Sequence, residues 1–139
     1  MFPALDISTS ALVAQRVRLN AISGNLANIS TTHDERGQAR PYQARYVVFE
    51  ADQGVGAYGA PGVRVQRVGI DTSEPLWKYE PGHPDAVKEG PKRGYVAYPN
   101  INMMTELTNA MEAARAYEAN LGAMEISKDL EQQTLRILA

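Results

Sequence analysis

The chain contains 139 residues, of which 14 are basic and 16 acidic, and it has no cysteine. The length suits about one domain, and the missing thiols exclude disulfides, thiolate nucleophiles and cysteine-bound metals. A formal net charge of −2 argues against nucleic-acid binding, which needs a basic surface to displace counterions from phosphate.

The N-terminus and the apolar runs indicate how the chain relates to membranes. No apolar run reaches the length of about 18 residues that a membrane span requires, so we predict no direct membrane insertion. The first residues, Met-Phe-Pro-Ala-Leu-Asp, lack the basic segment and the apolar core of a secretory signal. We therefore expect that, if the protein is exported, no cleaved signal peptide directs it.

Proline divides the chain into three parts. Seven of the eight prolines lie between Pro41 and Pro99, and only Pro3 lies outside that range. Because proline removes a helical hydrogen bond and clashes with the preceding turn, the flanking stretches are predicted to be helices and the centre irregular β structure. The expected fold is therefore α+β, with helices in residues 1–32 and 100–139 and a small β-rich middle region in residues 33–99.

The first proline-free stretch, residues 4–32, predicts a helix with a narrow apolar seam. Leucines recur every seven residues and isoleucines follow at the third position, which is typical of a helix that packs along one partner. The seam residues are Leu5, Leu12, Leu19, Ile22, Leu26 and Ile29. Asp6 or Ser8 is predicted to cap the start of the helix. Asn25 and Asn28, beside the seam, are predicted to set its register.

The middle segment predicts three short strands. Residues 42–49 and 63–70 alternate in polarity, and the phase shift at Gln66-Arg67 predicts a β-bulge in the second run. Residues 76–79 form the third predicted strand. Residues 54–62 and 81–94, which are rich in glycine and proline, are predicted to be loops.

The last stretch predicts a second, longer helix with a matching seam. It follows Pro99, with Asn102 or Thr105 as the expected cap, and its alanines favour helix and close helix approach. The seam residues are Leu107, Met111, Ala114, Tyr117, Leu121, Met124, Leu135 and Leu138. At 1.5 Å per residue, the two helices would measure roughly 35–40 and 50 Å. Rods of that length are expected to lie against a partner, because a small middle region cannot cover them.

Two patterns in the middle segment invite a catalytic interpretation, and both fail on context. Residues 54–59 match G-x-G-x-x-G, but a dinucleotide site needs a helix opening at those glycines, and an alternating run follows instead. His33 and His83 could form a metal site with nearby carboxylates, but they lie fifty residues apart in loops that nothing in the sequence brings together. We therefore predict no catalytic residue, no metal and no cofactor, and we expect that the protein is not an enzyme.

Five segments, taken together, resemble one protein family. Residues 4–28, ALDISTSALVAQRVRLNAISGNLAN, are similar to the N-terminal signature of the flagellar axial proteins, the family of rod, hook and hook-associated proteins. The other segments resemble the proximal rod proteins of that family, and they are YQARYVVFE (42–50), EPGHPDA (80–86), GYVAYPNIN (94–102) and AARAYEANLGAMEI (113–126). Residues 87–93 look longer than the usual linker between the HPDA and GYV motifs.

The resemblance implies a structural subunit of the flagellar basal-body rod, the helical drive shaft that connects the inner-membrane ring to the hook. It implies that the terminal helices, residues 1–32 and 100–139, pair into a coiled-coil domain with residues 33–99 as a small middle domain. It also implies a periplasmic location and passage through the flagellar type III export apparatus. The implied partners are further copies of the chain, other rod proteins and the inner-membrane ring. A different secreted coiled-coil assembly protein of a type III export system would share the seams, but it would not need the EPGHPDA and GYVAYPNIN loops.

The seams also indicate how such a subunit would assemble. Burial of one leucine or methionine side chain contributes roughly 1.5–3 kcal/mol, so a dozen such positions could drive polymerisation. A narrow seam within one chain does not offset the conformational entropy that the helices lose on folding. We therefore expect the terminal segments to be largely disordered in the dilute monomer and to fold on docking.

Overall fold

A computed structural model describes residues 2–55 and 59–138 of the chain. Its elements in chain order are helix α1 (Phe2–Ala27), strands β1 (Arg45–Val55), β2 (Ala60–Ile70), β3 (Leu76–Tyr79) and β4 (Tyr95–Tyr98), and helix α2 (Met103–Leu138). The strands form two separate two-stranded antiparallel sheets, β1–β2 and β3–β4. The fold is therefore α+β, as the distribution of proline predicts.

Helix α1 begins before its predicted cap. It starts at Phe2, so Asp6 and Ser8 lie inside the helix, and the prediction that one of them caps it is wrong. Pro3 lies in the first turn, where a missing backbone N–H breaks no helical hydrogen bond. Ser8 is buried instead of capping.

Helix α1 also ends before the predicted boundary, at Ala27. The side-chain amide of Asn28 donates to the carbonyl of Gly24 over 2.9 Å, and it thereby supplies a donor for the last turn, where carbonyl groups lose their helical partners. The hydroxyl of Thr31 donates to Asn28 Oδ1 over 3.1 Å. Asn28 therefore closes the helix, and Ile29 lies beyond it in the following turn.

Helix α2 begins where the sequence predicts. Asn102 Oδ1 accepts hydrogen bonds from the backbone N–H groups of Met104 and Thr105, over 3.0 and 3.2 Å, so the prediction of an Asn102 cap is confirmed. The helix then continues for 36 residues, or about 54 Å at 1.5 Å per residue.

Strands β1 and β2 form a long hairpin with the predicted irregularity. Val48 pairs with Arg67 and the next residue, Phe49, pairs with Val65, so Gln66 is left unpaired as a β-bulge. The strands are longer than the alternating runs indicate, since β1 extends to Val55. The loop between them is correspondingly shorter than residues 54–62.

Strands β3 and β4 form a smaller sheet, of which β3 is at the predicted position and β4 was not predicted. The turn before β4 needs a glycine: Gly94 has a φ of +82°, and a Cβ at that position would lie 2.7 Å from a ring carbon of Tyr79. The Tyr79 and Tyr95 rings meet edge to face, with their centroids 5.2 Å apart. Any larger residue at position 94 would therefore displace this aromatic pair.

Helix α1 is the central element, because it contacts α2 on one side and both strands of the β1–β2 hairpin on another. Few large side chains are buried at these contacts. The buried apolar residues in the described part of the chain are Ala14, Ile22, Val96, Ile101 and Ala113. So small a core leaves much of the apolar surface of α2 uncovered.

Candidate assembly interface

Helices α1 and α2 run antiparallel, and three side-chain contacts fix their alignment. Asn25 meets Glu106 over 3.0 Å, Arg18 meets Glu112 over 3.2 Å, and Thr9 Oγ1 lies 4.0 Å from Met124 Sδ. Residue numbers fall along α1 as they rise along α2. Two of the contacts are polar, and Met124 is the large apolar residue of α2 that takes part in the third.

The predicted seam residues of α1 lie close to its contact surface. Ile22 is buried, and the other members of the seam are half-buried. Those half-buried members are Leu5, Leu12, Leu19, Leu26 and Ile29. Their use between copies in an assembly stays a prediction, because a single chain does not present a second copy.

The predicted seam residues of α2 separate into two groups. Ala114, Tyr117 and Met124 are half-buried. The others are exposed, and they are Leu107, Met111, Leu121, Leu135 and Leu138. The fully buried Ala113 faces α1, because a small side chain allows two helices to approach closely. With α2 in this orientation, the neighbouring leucines lie on the exposed side.

One side of α2 therefore carries an uncovered line of large side chains, which we name the apolar row. Its members occupy two positions of the seven-residue repeat that are three and four residues apart, and they are Met104, Leu107, Met111, Leu121 and Leu135. Exposed polar residues interrupt the row at the same two repeat positions, and they are Glu118, Glu125, Lys128 and Gln132. A line of this kind on an isolated chain is typical of an interaction surface.

A second group of exposed apolar residues lies outside the predicted seam. Ile126, Leu130 and Ile137 are all exposed, and Ile137 retains 84% of its accessible surface. Their spacing of four and seven residues places them on one side of the helix. That spacing was available in the sequence, but these residues fall outside the leucine repeat that defined the seam.

The C-terminal part of α2 extends past α1. Continuing the alignment of the three contacts by equal steps places Phe2 opposite about Asp129, so residues 130–138 form an overhang of roughly 14 Å. Leu138, at its tip, retains 79% of its accessible surface. Four of its nine residues are large, apolar and exposed, and they are Leu130, Leu135, Ile137 and Leu138. These side chains extend the candidate interface beyond the helix pair.

The two asparagines predicted to set register differ in what they contact. Asn25 is buried and bonds to both β1 and α2, so it joins three elements. Asn28 bonds to Gly24 and Thr31 only, within the turn that ends α1. A register role for either between copies remains a prediction.

The structure brings the two histidines together, contrary to the prediction from the sequence. His33 Nδ1 lies 3.4 Å and His83 Nδ1 3.9 Å from Asp85 Oδ2, to which the Thr32 hydroxyl also donates over 2.6 Å. The Thr32 hydrogen bond, followed by the charges of the histidines when protonated, holds the pKa of Asp85 below its ordinary value. The statement that nothing joins the two loops is therefore wrong.

This cluster links two chain segments through hydrogen bonds and charge contacts. His83 Nδ1 accepts the backbone N–H of Asp85 over 3.1 Å, which uses the nitrogen nearest the carboxylate. Within residues 2–55 and 59–138, no group of three or more His, Asp or Glu side chains is placed to hold a metal ion. The cluster joins the turn after α1 to the loop between β3 and β4.

The glycine-rich motif at residues 54–59 lies between the two long strands. Residues 56–58 are outside the described part of the chain. On either side, β1 extends to Val55 and β2 starts at Ala60, so the element that follows is a strand. The helix that a dinucleotide site requires does not follow this motif.

The exposed apolar side chains of the helices are typical of an interaction surface, and comparison with known families identifies the class of protein. Residues 5–32 match the family described as "Flagella basal body rod protein", and residues 92–137 match "Flagellar basal body rod FlgEFG protein C-terminal". These matches include nearly all of α1 and α2. The class is that of structural proteins of the flagellar basal-body rod.

Full-length relatives make the assignment more specific. The chain is 34% identical to the flagellar basal-body rod protein FlgC of Borreliella burgdorferi, covering 99% of this chain and 97% of the relative. It is 38% identical to FlgC of Salmonella typhimurium (95% and 93% covered) and 35% identical to FlgC of Bacillus subtilis (98% and 97% covered). The chain belongs to the FlgC family of flagellar basal-body rod proteins.

Membership establishes the general function. The protein is a structural subunit of the rod of the bacterial flagellar basal body, and it serves motility by assembling with other flagellar components. No helix in the described residues combines the length and apolar character needed to cross a membrane.

Proposed function

We propose that the subunit polymerises through its terminal helices into the helical drive shaft that connects the inner-membrane ring to the hook. The observation that carries the proposal is the apolar row of α2 together with the apolar overhang, because both are uncovered within one chain. Neighbouring copies or neighbouring rod proteins would cover them. The terminal helices, residues 1–32 and 100–139, would form a coiled-coil domain, and residues 33–99 a middle domain beside it.

The proposal includes how the subunit reaches its place. The flagellar type III export apparatus would carry the chain across the inner membrane without a cleaved signal peptide, and the rod would then form in the periplasm. Membership of the rod family supports this route. Other rod proteins and the inner-membrane ring are the expected partners, and no catalytic step is needed for any of these roles.

The test is complementation of a deletion strain with paired variants at exposed positions of α2. Leu107→Asp introduces a carboxylate into the apolar row, whereas Ala119→Asp introduces the same charge at an exposed position that has no member of the row three or four residues away. We expect Leu107→Asp to abolish swimming and to leave purified basal bodies without a completed rod, and Ala119→Asp to swim. Equal swimming of both variants, or equal failure, would contradict a role for the apolar row.

The pairing of the helices within the rod can be tested separately. Because the chain has no cysteine, a Thr9→Cys, Met124→Cys double variant carries one reactive pair at a contact between α1 and α2. A short bis-maleimide should link the two positions within one copy in purified basal bodies. Links only between different copies would show that the helices do not pair within the chain when assembled.

A further inference from the structure

Asn25 lies at a point where three segments that are distant in sequence meet. It is 2% exposed, and its side chain makes four hydrogen bonds. Nδ2 donates to the carbonyl of Arg45 over 2.9 Å and to Glu106 Oε2 over 3.0 Å. Oδ1 accepts the backbone N–H of Arg45 over 2.8 Å and the hydroxyl of Tyr42 over 3.4 Å. The hydrogen-bonding capacity of the amide is therefore fully used.

Two of these bonds imitate the pairing of a β-strand. In an antiparallel ladder, one residue exchanges both its N–H and its C=O with the residue opposite, and the Asn25 amide makes this exchange with Arg45. Arg45 is the first residue of β1 and pairs with Ile70, the last residue of β2. Asn25 therefore holds the open end of the hairpin against the last turn of α1.

The bond from Asn25 Nδ2 to Glu106 Oε2 extends the connection to α2. Glu106 lies in the first turn of α2, the turn that Asn102 caps. A buried amide N–H without an acceptor costs more than the net contribution of the bond itself. Asn25 is consequently satisfied only when β1 and the first turn of α2 are both in place.

We propose that Asn25 is a positioning residue that couples the pairing of α1 and α2 to the placement of the β1–β2 hairpin. The hairpin takes its final orientation on α1 only when the two terminal helices are paired, because the same amide serves both contacts. A subunit whose helices have not yet paired would present the hairpin in a different or variable orientation. The coupling is intramolecular, and only its readout in cells rests on the proposed rod function.

The test exchanges the donor and the acceptor in the hydrogen bond between Asn25 and Glu106. Asn25→Asp keeps the acceptors for the Arg45 N–H and for Tyr42, but it loses the donor to the Arg45 carbonyl and places a second carboxylate against Glu106. In a deletion strain, we expect this variant to lose most completed rods and most of its swimming, because buried acceptors are left without donors. Glu106→Gln restores a donor opposite the new carboxylate, so the Asn25→Asp, Glu106→Gln double variant should recover the part of the lost rods and motility that depends on the contact with α2.

Two controls show whether the rescue depends on this contact. Asn28→Asp makes the same chemical change three residues away, where the side chain contacts only Gly24 and Thr31, so Glu106→Gln should not rescue it. Glu106→Ala should lower rod completion, whereas Glu112→Ala removes an exposed ion pair and should have little effect.

Three results would overturn the coupling: normal swimming of Asn25→Asp, a double variant no better than Asn25→Asp, or equal effects of Glu106→Ala and Glu112→Ala. A deletion strain that swims without the protein would instead contradict the proposed function. The wild-type chain must restore motility to that strain before the variants are compared, so the two failures are distinguishable.

Discussion

Arg18 Nη2 and Glu112 Oε2 lie 3.2 Å apart and join residues that are 94 positions apart in the chain. The ion pair lies between two contacts of the same helices, Asn25 with Glu106 and Thr9 with Met124. An exposed pair of this kind contributes little to stability by itself, about 0–1 kcal/mol. The ion pair shows which turns of α1 and α2 face one another.

Charged substitutions in the seam should stop rod assembly. Leu19→Asp and Leu121→Asp each place a carboxylate where apolar burial is needed, and loss of one such side chain from an interface costs roughly 1.5–3 kcal/mol before the burial of charge is counted. We expect loss of swimming for both variants in soft agar. His33→Ala should swim normally, since the His33 side chain is 60% exposed. Survival of motility in both aspartate variants would contradict the seam.

The isolated monomer should show little stable helix in its terminal segments. The buried residues shared by the two helices are few and small, and they do not offset the entropy of ordering 26 and 36 residues. We expect circular dichroism of the dilute full-length protein to show low helical content without a cooperative thermal transition. A cooperative transition with the helix content of the folded structure would contradict folding on docking.

Replacement of Gln15 should favour the folded helix pair. Gln15 Oε1 is buried, and within residues 2–55 and 59–138 it has no hydrogen-bond donor. Because an unsatisfied buried acceptor costs about 1–3 kcal/mol, Gln15→Leu should increase the helical signal of the monomer in circular dichroism. Gln133→Leu, at an exposed position of the overhang, is the matched control. An equal increase in both variants would point to a general effect of leucine.

The smaller sheet should lose stability in acid because of Asp85. The pKa of Asp85 is lowered, first by the Thr32 hydrogen bond and then by the charges of His33 and His83. Because the pKa of Asp85 is lower in the folded state, its ionised form stabilises the fold at pH values above the ordinary aspartate pKa of about 4. This contribution to the free energy of unfolding is lost as the pH falls through the lowered pKa. Urea unfolding can be followed by the fluorescence of Trp77, the single tryptophan. The free energy of unfolding should decrease as the pH is lowered on the acid side.

The matched variant for this measurement is Asp85→Asn. The asparagine carbonyl still accepts from Thr32, but it does not titrate, so the acid-side slope should become shallower than in the wild type. An unchanged slope would show that another carboxylate governs the acid sensitivity. Glu80 is the alternative, because its pKa is also lowered, first by the Lys78 hydrogen bond and then by that of Tyr98.

The sequence predicted the elements of the fold better than their faces. The proline distribution located both helices, and the phase shift at Gln66 located the bulge in β2, because both signals are local. The seven-residue repeat of Leu107 and Leu121 indicated an apolar surface but did not show whether the same chain or a neighbour covers it. Ala113, a small residue without a strong signal, determines which side of α2 faces α1.

Contacts between distant loops were beyond the sequence signals. His33 and His83 meet Asp85 because the turn after α1 and the loop after β3 fold together, and no periodicity relates them. The sequence predicts for Asn25 a register role beside the seam of α1. Its bonds to Arg45 and Glu106 join elements that are distant in the chain, so no local pattern indicates them.

The overhang of α2 makes the two ends of the helix pair unlike one another. At one end, three elements meet around Asn25, and at the other a single helix continues alone. Copies stacked in a common orientation would therefore place a bare helix against a closed end at every step. Such a stack has a direction, so its two tips are chemically different and growth at one of them is distinguishable from growth at the other.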